Sequence, residues 1–284
     1  MTHDDWMQAA TEEYRRLIDL LEQLDAEEWA APTDCTGWDV RAMVAHLAGA
    51  AQAMARVREL IRQLRGGRRL LPDADGVDGM NELQVRERAD HDPAQLLAEL
   101  AQAAPRAVRA RSRLPWLVRA MPVPFGPPLG TKPLGYLMDR IYTRDAWLHR
   151  VDICRATGRP MLLTAEQDGR IVDDVVVEWA ELHGQPFELV LTGPAGGRWQ
   201  RAGSAPIKRA GEAIDGEAAQ RGETIESEAL QPGAGAEPIE RGAGSEPARR
   251  DTSSEAIELD AVEFCRILSG RASGSGLLTT RVDF

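Results

Sequence analysis

The strongest constraint on the fold is the spacing of apolar residues in the first half of the chain. In the opening segment they recur alternately every four and three positions, at Ala10, Tyr14, Leu17, Leu21 and Leu24. This spacing places its members on one face of an α-helix, and such a face must be buried against other elements. The segment therefore predicts an amphipathic helix that contributes to a helical core.

Further helices are expected at 39–65, 80–90, 93–112, 134–157 and 165–182. Asp39 suits the first turn of its helix, where a carboxylate is stabilised by the helix dipole. Gly66 and Gly67 are expected to end that helix. The stretch 114–133 holds six prolines and is expected to be a packed loop that carries Trp116.

The character of the sequence changes after residue 183. The stretch 186–193 (PFELVLTG) alternates apolar and polar residues, which predicts a β-strand. A short strand and a helix are expected over 257–270, and another strand over 277–284. Residues 201–255 contain no aromatic residue, five large aliphatic residues and eleven acids. They cannot bury enough apolar surface to offset their ordering entropy, so they are expected to be disordered.

The sequence therefore predicts a mainly α protein with a small α+β part. A helical domain is expected over 1–183. A small α/β domain is expected over 184–284, interrupted by the acidic insertion at about 201–255. Hydrophobic residues make up 43% of the chain and charged residues 28%, which are ordinary globular values.

The charge balance bears on possible partners. The chain carries 34 basic against 45 acidic residues and a net charge of −11, whereas a nucleic-acid-binding domain shows a basic patch or stripe. Neither nucleic acid nor an anionic membrane is expected as a partner. The chain has 32 arginines but only two lysines, Lys132 and Lys208. That imbalance is typical of high-GC codon usage, as in actinobacteria.

The cysteines indicate a reducing compartment. Cys35, Cys154 and Cys265 are far apart and form no paired motif. The N-terminal residues lack the basic and apolar regions of a signal peptide, and no apolar run approaches the ~20 residues of a membrane span. A cytoplasmic location is expected. Cys35 is interpreted as a small bystander, with a reactive thiol as the alternative.

Two of the five histidines lie in the middle of strongly predicted helices. Asp145 and His149 are four residues apart, so they share one helix face. The same face carries apolar residues, and a carboxylate that points inward must be paired or metal-bound. An acid and an imidazole at this spacing can share a divalent metal. His46, beside the apolar stripe of the 39–65 helix, could supply a third ligand.

The spacing alone leaves a second interpretation open, because an acid followed four residues later by a histidine is common by chance. Asp145 could instead pair with Arg144, Arg150 or another arginine, and His149 could be a hydrogen-bonded core histidine. Asp152 is better placed to accept an imidazole N–H, or to form a surface ion pair, than to bind a metal. The remaining histidines, His3, His91 and His183, are expected at the surface.

Three stretches carry a family resemblance. Residues 36–50 (TGWDVRAMVAHLAGA) and 144–161 (RDAWLHRVDICRATGRPM) resemble the two signatures of the DinB-like, mycothiol-dependent maleylpyruvate isomerase family. Residues 258–277 (ELDAVEFCRILSGRASGSGL) resemble the small C-terminal domain of that family. The resemblance implies a DinB-like four-helix bundle followed by a small α/β C-terminal domain. It also implies a divalent metal, often zinc, bound by His46, Asp145 and His149.

The resemblance further implies an enzyme that uses mycothiol as a low-molecular-weight thiol cofactor. In that family the thiol adds to a cis double bond of a small substrate, the bond rotates, and the thiol leaves. Arg271 is the candidate to bind a substrate carboxylate, and its alternative interpretation is a surface charge at a helix end. The family isomerase has Glu where this chain has Asp145, so the shorter acid would shift a bound metal.

Three functions are compatible with this resemblance. The leading hypothesis is a metal-dependent, mycothiol-using isomerase or thiol transferase that acts on a small electrophile. A thiol-S-transferase of detoxification is a second enzyme class. A non-catalytic binding or regulatory module, with the acidic insertion as its partner-binding segment, is the alternative outside enzymes.

Overall fold

The computed structural model describes residues 1–73, 76–127, 129–210 and 256–284. The helices are α1 (His3–Leu21), α2 (Ala26–Trp29), α3 (Val40–Ala55), α4 (Val57–Leu70), α5 (Gly76–Arg86), α6 (Pro93–Ser112), α7 (Trp116–Arg119), α8 (Tyr142–Thr157), α9 (Asp168–His183) and α10 (Ala261–Leu268). The strands are β1 (Pro122–Gly126), β2 (Gly130–Pro133), β3 (Phe187–Thr192), β4 (Gly197–Arg201), β5 (Lys208–Ala210) and β6 (Ile257–Asp260). A π-helical turn (Tyr136–Ile141) leads into α8, and a 3-10 turn (Gly276–Thr279) follows α10.

Helices α1, α3, α6 and α8 form a four-helix bundle. Helix α1 packs against α6 and α8, and α3 packs against the same two helices. The predicted apolar face of α1 is buried, with Tyr14 6%, Leu17 0% and Leu21 1% exposed. Both α3 and α6 bury several alanines, and small side chains allow neighbouring helix axes to approach closely. The predicted mainly α fold class is confirmed.

The helix predicted over 39–65 is in fact two helices. Asp39 caps α3 as expected, because its carboxylate accepts a backbone N–H of the first turn. The chain then breaks at Arg56, which has extended angles (φ −149°, ψ 117°). The prediction that Gly66 and Gly67 end the helix is wrong, since both lie inside α4. Gly67 lets α4 touch α5, because a Cβ there would lie 2.5 Å from backbone atoms at Gly79.

The proline-rich stretch 114–133 is not a packed loop. It forms α7 and an antiparallel hairpin of β1 and β2. Trp116 is 72% exposed rather than packed. Prolines fit these strands because each strand of a two-stranded hairpin has an outer edge that needs no ladder hydrogen bond.

The C-terminal part contains a four-stranded sheet in the order β5-β4-β3-β6. Strand β3 pairs antiparallel with β4 and parallel with β6, which confirms the strands expected near 186–193 and 257. Helix α9 meets this layer through Trp179, whose ring centroid lies 5.0 Å from that of Phe187 and 5.4 Å from that of Phe264. One continuous hydrophobic cluster runs from the bundle into this layer.

Two sequence predictions for this part need correction. Residues 208–210 form β5, so the predicted insertion does not begin at 201; the rest of the predicted insertion, 211–255, lies outside the described residues. The strand expected over 277–284 is absent from the described structure, which has the 3-10 turn at its start. The boundary proposed at 183/184 falls where α9 ends, and it stays a prediction.

Within the described ranges, no helix combines the length and the apolar content that crossing a membrane requires.

Candidate metal centre

Helices α3 and α8 bring three potential metal ligands together. His46 lies on α3, and Asp145 and His149 lie one turn apart on α8. The Asp145 carboxylate stands between the two imidazoles, with its Oδ2 3.6 Å from His46 Nε2 and its Oδ1 3.2 Å from His149 Nε2. One donor atom from each residue lies within 4.8 Å of the others. This arrangement agrees with the ligand set that the sequence resemblance implies.

The second ring nitrogen of His46 is held by a chain of amides. His46 Nδ1 lies 2.8 Å from Gln84 Oε1, an acceptor, so Nδ1 carries the proton. Gln84 Nε2 donates to Gln63 Oε1 at 2.7 Å, and Gln63 Nε2 donates to the carbonyl of Gly49 at 3.0 Å. A proton on Nδ1 leaves Nε2 of the neutral ring with a free lone pair on the Asp145 side. The amides thus fix the tautomer that a metal requires.

The second ring nitrogen of His149 is held by a carboxylate. His149 Nδ1 donates to Asp152 Oδ2 at 3.2 Å, and Asp152 is fully buried. Asp152 is itself neutralised by Arg271, whose Nε lies 2.8 Å from both carboxylate oxygens. A carboxylate behind a histidine orients the ring and raises its basicity as a ligand. Asp152 was expected either to accept an imidazole N–H or to form a surface ion pair. In the structure it accepts the N–H of His149.

Charges in the cluster are coupled. Burial alone would raise the pKa of Asp145, but the charge and hydrogen bonds of His149, and then of His46, hold that pKa well below its ordinary value. Burial likewise opposes a charged His149, but Asp145 and Asp152 outweigh it and raise the pKa of His149 well above its ordinary value. The Asp145 carboxylate thus favours a proton on the His149 ring, and a divalent cation bound beside the same carboxylate would compete with that proton.

The alternative pairing of Asp145 with an arginine does not occur. Arg144 binds Asp174 and Glu178, and Arg150 binds Glu13 and Asp168. In the described parts of the chain, the two imidazoles are the cationic groups within ion-pair distance of Asp145. Arg144 and Arg150 of α8 thus pair with carboxylates of other elements, and Asp145 pairs with the two histidines.

The π-helical turn before α8 offsets the helix at this point. The Tyr142 N–H reaches back to the carbonyl of Leu137, five residues earlier. The Asp139 carbonyl accepts instead from Thr143 Oγ1 at 2.7 Å and from Arg111 Nη2 at 3.3 Å. Such turns often lie at functional sites. This one immediately precedes the helix that carries two of the candidate ligands.

The three candidate ligands lie in a cleft of about 450 Å³. Trp38 forms part of its wall, and its ring centroid lies 5.1 Å from that of His46 and 6.2 Å from that of His149. Asp78, Asn81 and Glu82 lie on the α5 side. The cleft is large enough for a small molecule, and its aromatic wall excludes water from one side of the ligand cluster.

Cys35 also lies at this centre, although the sequence interpretation favoured a bystander. Its Sγ is 3.7 Å from Asp152 Oδ2 and 3.4 Å from Arg271 Nη2. Cys35, His149 and Asp152 are close enough to form a second metal-binding group. The Arg271 guanidinium already supplies a cation to that group, whereas the group of His46, Asp145 and His149 has no arginine within ion-pair distance among the described residues. Cys154 is buried elsewhere, and burial raises the pKa of its thiol to about 11.

A tight helix end places Arg271 at the centre. After α10, the Arg271 N–H donates to the carbonyl of Arg266 and the Gly270 N–H to that of Ile267, the two bonds of a Schellman motif. Gly270 has φ +91°, which favours glycine. The Arg271 side chain is 14% exposed, and Nη2 approaches His149 Nδ1 at 3.5 Å. Arg271 is therefore a neighbour of the ligand cluster rather than a charge on the open surface.

Sequence reasoning missed the two glutamines that hold His46. Gln84 and Gln63 lie on α5 and α4, two helices without a histidine or a signature motif, and both are fully buried. A buried amide is unusual unless it is hydrogen-bonded. No pattern in the sequence distinguishes these two glutamines from exposed ones.

The family model described as the mycothiol maleylpyruvate isomerase N-terminal domain matches residues 10–154. A crystal structure of a mycothiol-dependent maleylpyruvate isomerase is 17% identical, with a TM-score of 0.46 over 70% of this chain and 79% of that chain. A crystal structure of a histidine-to-alanine mutant of a mycothiol-dependent maleylpyruvate isomerase is 16% identical to this chain. Its TM-score is also 0.46, over the same 70% of this chain and 79% of that chain. No curated protein matches.

The matched span contains His46, Asp145 and His149, and it covers slightly more than half of the chain. The chain therefore belongs to the mycothiol maleylpyruvate isomerase N-terminal domain family.

Proposed function

We propose that this protein is a metal-dependent, mycothiol-using isomerase or thiol transferase that acts on a small electrophilic substrate resembling maleylpyruvate. The observation that carries the proposal is the convergence of two imidazole Nε2 atoms on one carboxylate in an open cleft. Family membership supports the use of mycothiol.

The donor set fits a divalent metal. Two neutral imidazoles and one carboxylate form a three-ligand site of the kind used by catalytic zinc, which keeps further positions for water or substrate. His46 and His149 each have Nδ1 bound to an acceptor, so each can present Nε2 to the metal. When bound, the metal would lower the pKa of the cofactor thiol, and the thiolate would serve as a reversible nucleophile toward the substrate double bond.

The chain's own residues then have separate tasks. His46, Asp145 and His149 would hold the metal, and Trp38 would shield that side of the cleft from water. Arg271 would bind a substrate carboxylate through the edge of its guanidinium that Asp152 leaves open, because Nη1 makes no hydrogen bond to the described residues while Nε and Nη2 are engaged. Asp152 would keep this cation and the His149 ring at a fixed separation.

Elemental analysis tests the metal centre directly. We expect about one equivalent of a divalent metal in the purified protein, and none in the His46→Ala/His149→Ala variant. A folded wild-type protein without metal, even after incubation with zinc, would contradict the proposed centre. It would leave a non-catalytic role as the better explanation.

Kinetics with mycothiol then separate the two reaction classes. An isomerase regenerates its thiol, so substrate turnover without net thiol consumption identifies isomerisation, whereas stoichiometric consumption identifies transfer. Arg271→Lys keeps the charge but loses the planar fork. We expect it to retain the metal and to lose about 10- to 100-fold in kcat/KM toward a carboxylate substrate. Unchanged kcat/KM would remove Arg271 from the reaction.

A further inference from the structure

We propose that the end of α6 and helix α7 form a docking surface for an anionic lipid bilayer. The surface has two parts that follow one another along the chain. Its arginine stripe consists of Arg106, Arg109 and Arg113, and its apolar part consists of Trp116, Leu117 and Met121. The inference goes beyond the metal centre and does not depend on the reaction proposed there.

The apolar part is open to solvent. Trp116 is 72% exposed, Leu117 63% and Met121 55%. Eight large hydrophobic side chains are exposed among the described residues, and three of the eight lie within these six positions. Exposed apolar residues that occur singly are ordinary, whereas a cluster of them marks an interaction surface. The stretch that was predicted to be a packed loop therefore presents an apolar cluster outward.

The arginine stripe lies on one side of α6. Spacings of three and four residues place Arg106, Arg109 and Arg113 on a common helix face, and Arg113 still has helical angles, with φ −94° and ψ 0°. All three arginines are exposed. Trp116 follows Arg113 by three positions, so their Cα atoms are at most about 10 Å apart. The cations thus border the apolar part.

Neighbouring carboxylates compensate two other cations of this region. The sequence between Glu99 and Asp139 contains no acidic residue, five arginines and Lys132. Of these cations, Arg119 binds Asp139, and Lys132 lines a pocket together with Glu181. Neither Arg119 nor Lys132 is therefore counted in the positive charge of the docking surface.

The arginine stripe keeps its charge. In the part of the chain that the structure describes, its members have no carboxylate within ion-pair distance, and Arg106 Nη1 donates to the neutral amide of Gln102 at 3.1 Å. One further acid, Asp4, is exposed nearby, because it follows His3, whose Nε2 lies 3.4 Å from the carbonyl of Ser112. Three arginines still outnumber this acid.

An anionic bilayer is the occupant that complements both parts. Tryptophan and leucine side chains enter the boundary between headgroups and acyl chains, and arginine side chains extend from there to the lipid phosphates. A nucleic acid would complement the arginines alone. An apolar protein surface would complement the apolar part alone and leave the three cations against a neutral partner.

The net charge of −11 does not prevent this docking. At physiological ionic strength mobile ions screen exposed charges beyond about 8 Å, so the local surplus of arginines governs the attraction. The sequence-based expectation against an anionic membrane used the charge of the whole chain. That charge is not representative of this end of the bundle.

Cosedimentation of the full chain with vesicles tests the surface. We expect binding to vesicles of phosphatidylcholine mixed with phosphatidylserine, and little binding to phosphatidylcholine alone. Trp116→Ser/Leu117→Ser should lower the partition coefficient about 10- to 100-fold, because the apolar insertion is lost. Arg106→Gln/Arg109→Gln/Arg113→Gln should lower it about 100-fold, because each basic side chain near an anionic surface contributes a factor of about five.

Two variants control for effects elsewhere in the molecule. Arg65→Gln/Arg68→Gln/Arg69→Gln removes the same amount of charge from α4, and Leu162→Ser removes an exposed leucine outside the surface. Both should bind as the unaltered protein does. Absence of binding to the mixed vesicles, equal binding to both kinds of vesicle, or an equal loss in the α4 triple variant would overturn the proposal.

Tryptophan fluorescence provides a measurement on the unaltered protein. Of the seven tryptophans, Trp116 is exposed, five are at most 5% exposed, and Trp38 lines the metal-centre cleft. Lipids brominated on their acyl chains should quench Trp116 when the protein binds mixed vesicles. Trp116→Phe should still bind and should lose this quenching. Bound protein whose fluorescence is not quenched would show that α7 does not enter the bilayer, and would refute the proposed surface.

Discussion

Arg271 and His149 hold the same carboxylate from two sides. Arg271 Nε lies 2.8 Å from both oxygens of Asp152, and His149 Nδ1 lies 3.2 Å from Oδ2 of the same residue. The orientation of a candidate metal ligand and the position of a candidate substrate-binding cation are thereby coupled through one buried group. A change at Asp152 should affect both.

Asp152→Asn tests this coupling. The amide is a weaker acceptor for the His149 N–H and no longer neutralises Arg271, so the affinity for zinc should fall about 10- to 100-fold. The measurement is a zinc titration against a chelator of known affinity. Asp19→Asn, an exposed change on α1, is the control and should leave zinc affinity unaltered. Equal affinities for both variants would show that Asp152 does not support the ligand.

Gln84→Met tests the amide chain on the other histidine. The thioether has a similar length but is a poor acceptor, so the His46 N–H loses its partner and Gln63 loses its donor. We expect the zinc affinity to fall about tenfold and the free energy of unfolding to fall by about 1–3 kcal/mol. Chelator competition and urea denaturation measure the two effects. Gln102→Met, on the surface of α6, should change neither quantity.

Metal binding should release protons at neutral pH. In the metal-free protein Asp145 raises the pKa of His149 above its ordinary value despite the opposing effect of burial, so the ring is protonated. A metal requires the neutral ring, so its affinity should rise with pH until the raised pKa of His149 is passed. Calorimetric titration in two buffers of different ionisation enthalpy measures the release. Heats that do not depend on the buffer would contradict it.

Gly270→Ala should destabilise the helix end that presents Arg271. Gly270 has φ +91°, and an added Cβ would lie 3.3 Å from Arg281 Nη1. The expected loss in the free energy of unfolding is about 1–2 kcal/mol, measured by chemical denaturation. Gly169→Ala is the control with the opposite expected sign. Gly169 lies in α9, and a Cβ added there would make ordinary contacts at 3.7 Å. This variant should raise the free energy of unfolding by about 0.5–1 kcal/mol. The same sign for both variants would refute the backbone argument.

The helical bundle and the clustering of the candidate ligands could be predicted from the sequence, because both depend largely on local spacing. Asp145 and His149 share a helix face whatever the rest of the chain does, and the apolar face of α1 is set by its own residues. The signature motifs then associated His46 with them. The sequence also showed the strand β3 by its alternation.

The missed features depend on contacts between distant segments. The break between α3 and α4 lies at Arg56, where no glycine or proline marks it in the sequence. Gly66 and Gly67 allow close packing of α4 against α5 and do not end a helix. The partners of Gln84 lie on α3 and α4, far from it in sequence. Cys35 gains its surroundings from α8 and from the turn after α10. Contacts of this kind can be identified only from the tertiary structure.

The candidate metal ligands and the candidate substrate cation come from separate stretches of the chain. The family match, residues 10–154, includes His46, Asp145 and His149, whereas Arg271 follows α10. Under the proposed function, divergence within the C-terminal layer would replace the proposed substrate-binding group and leave the proposed metal ligands unchanged. An evolutionary lineage built this way could acquire new substrates without passing through an inactive metal centre.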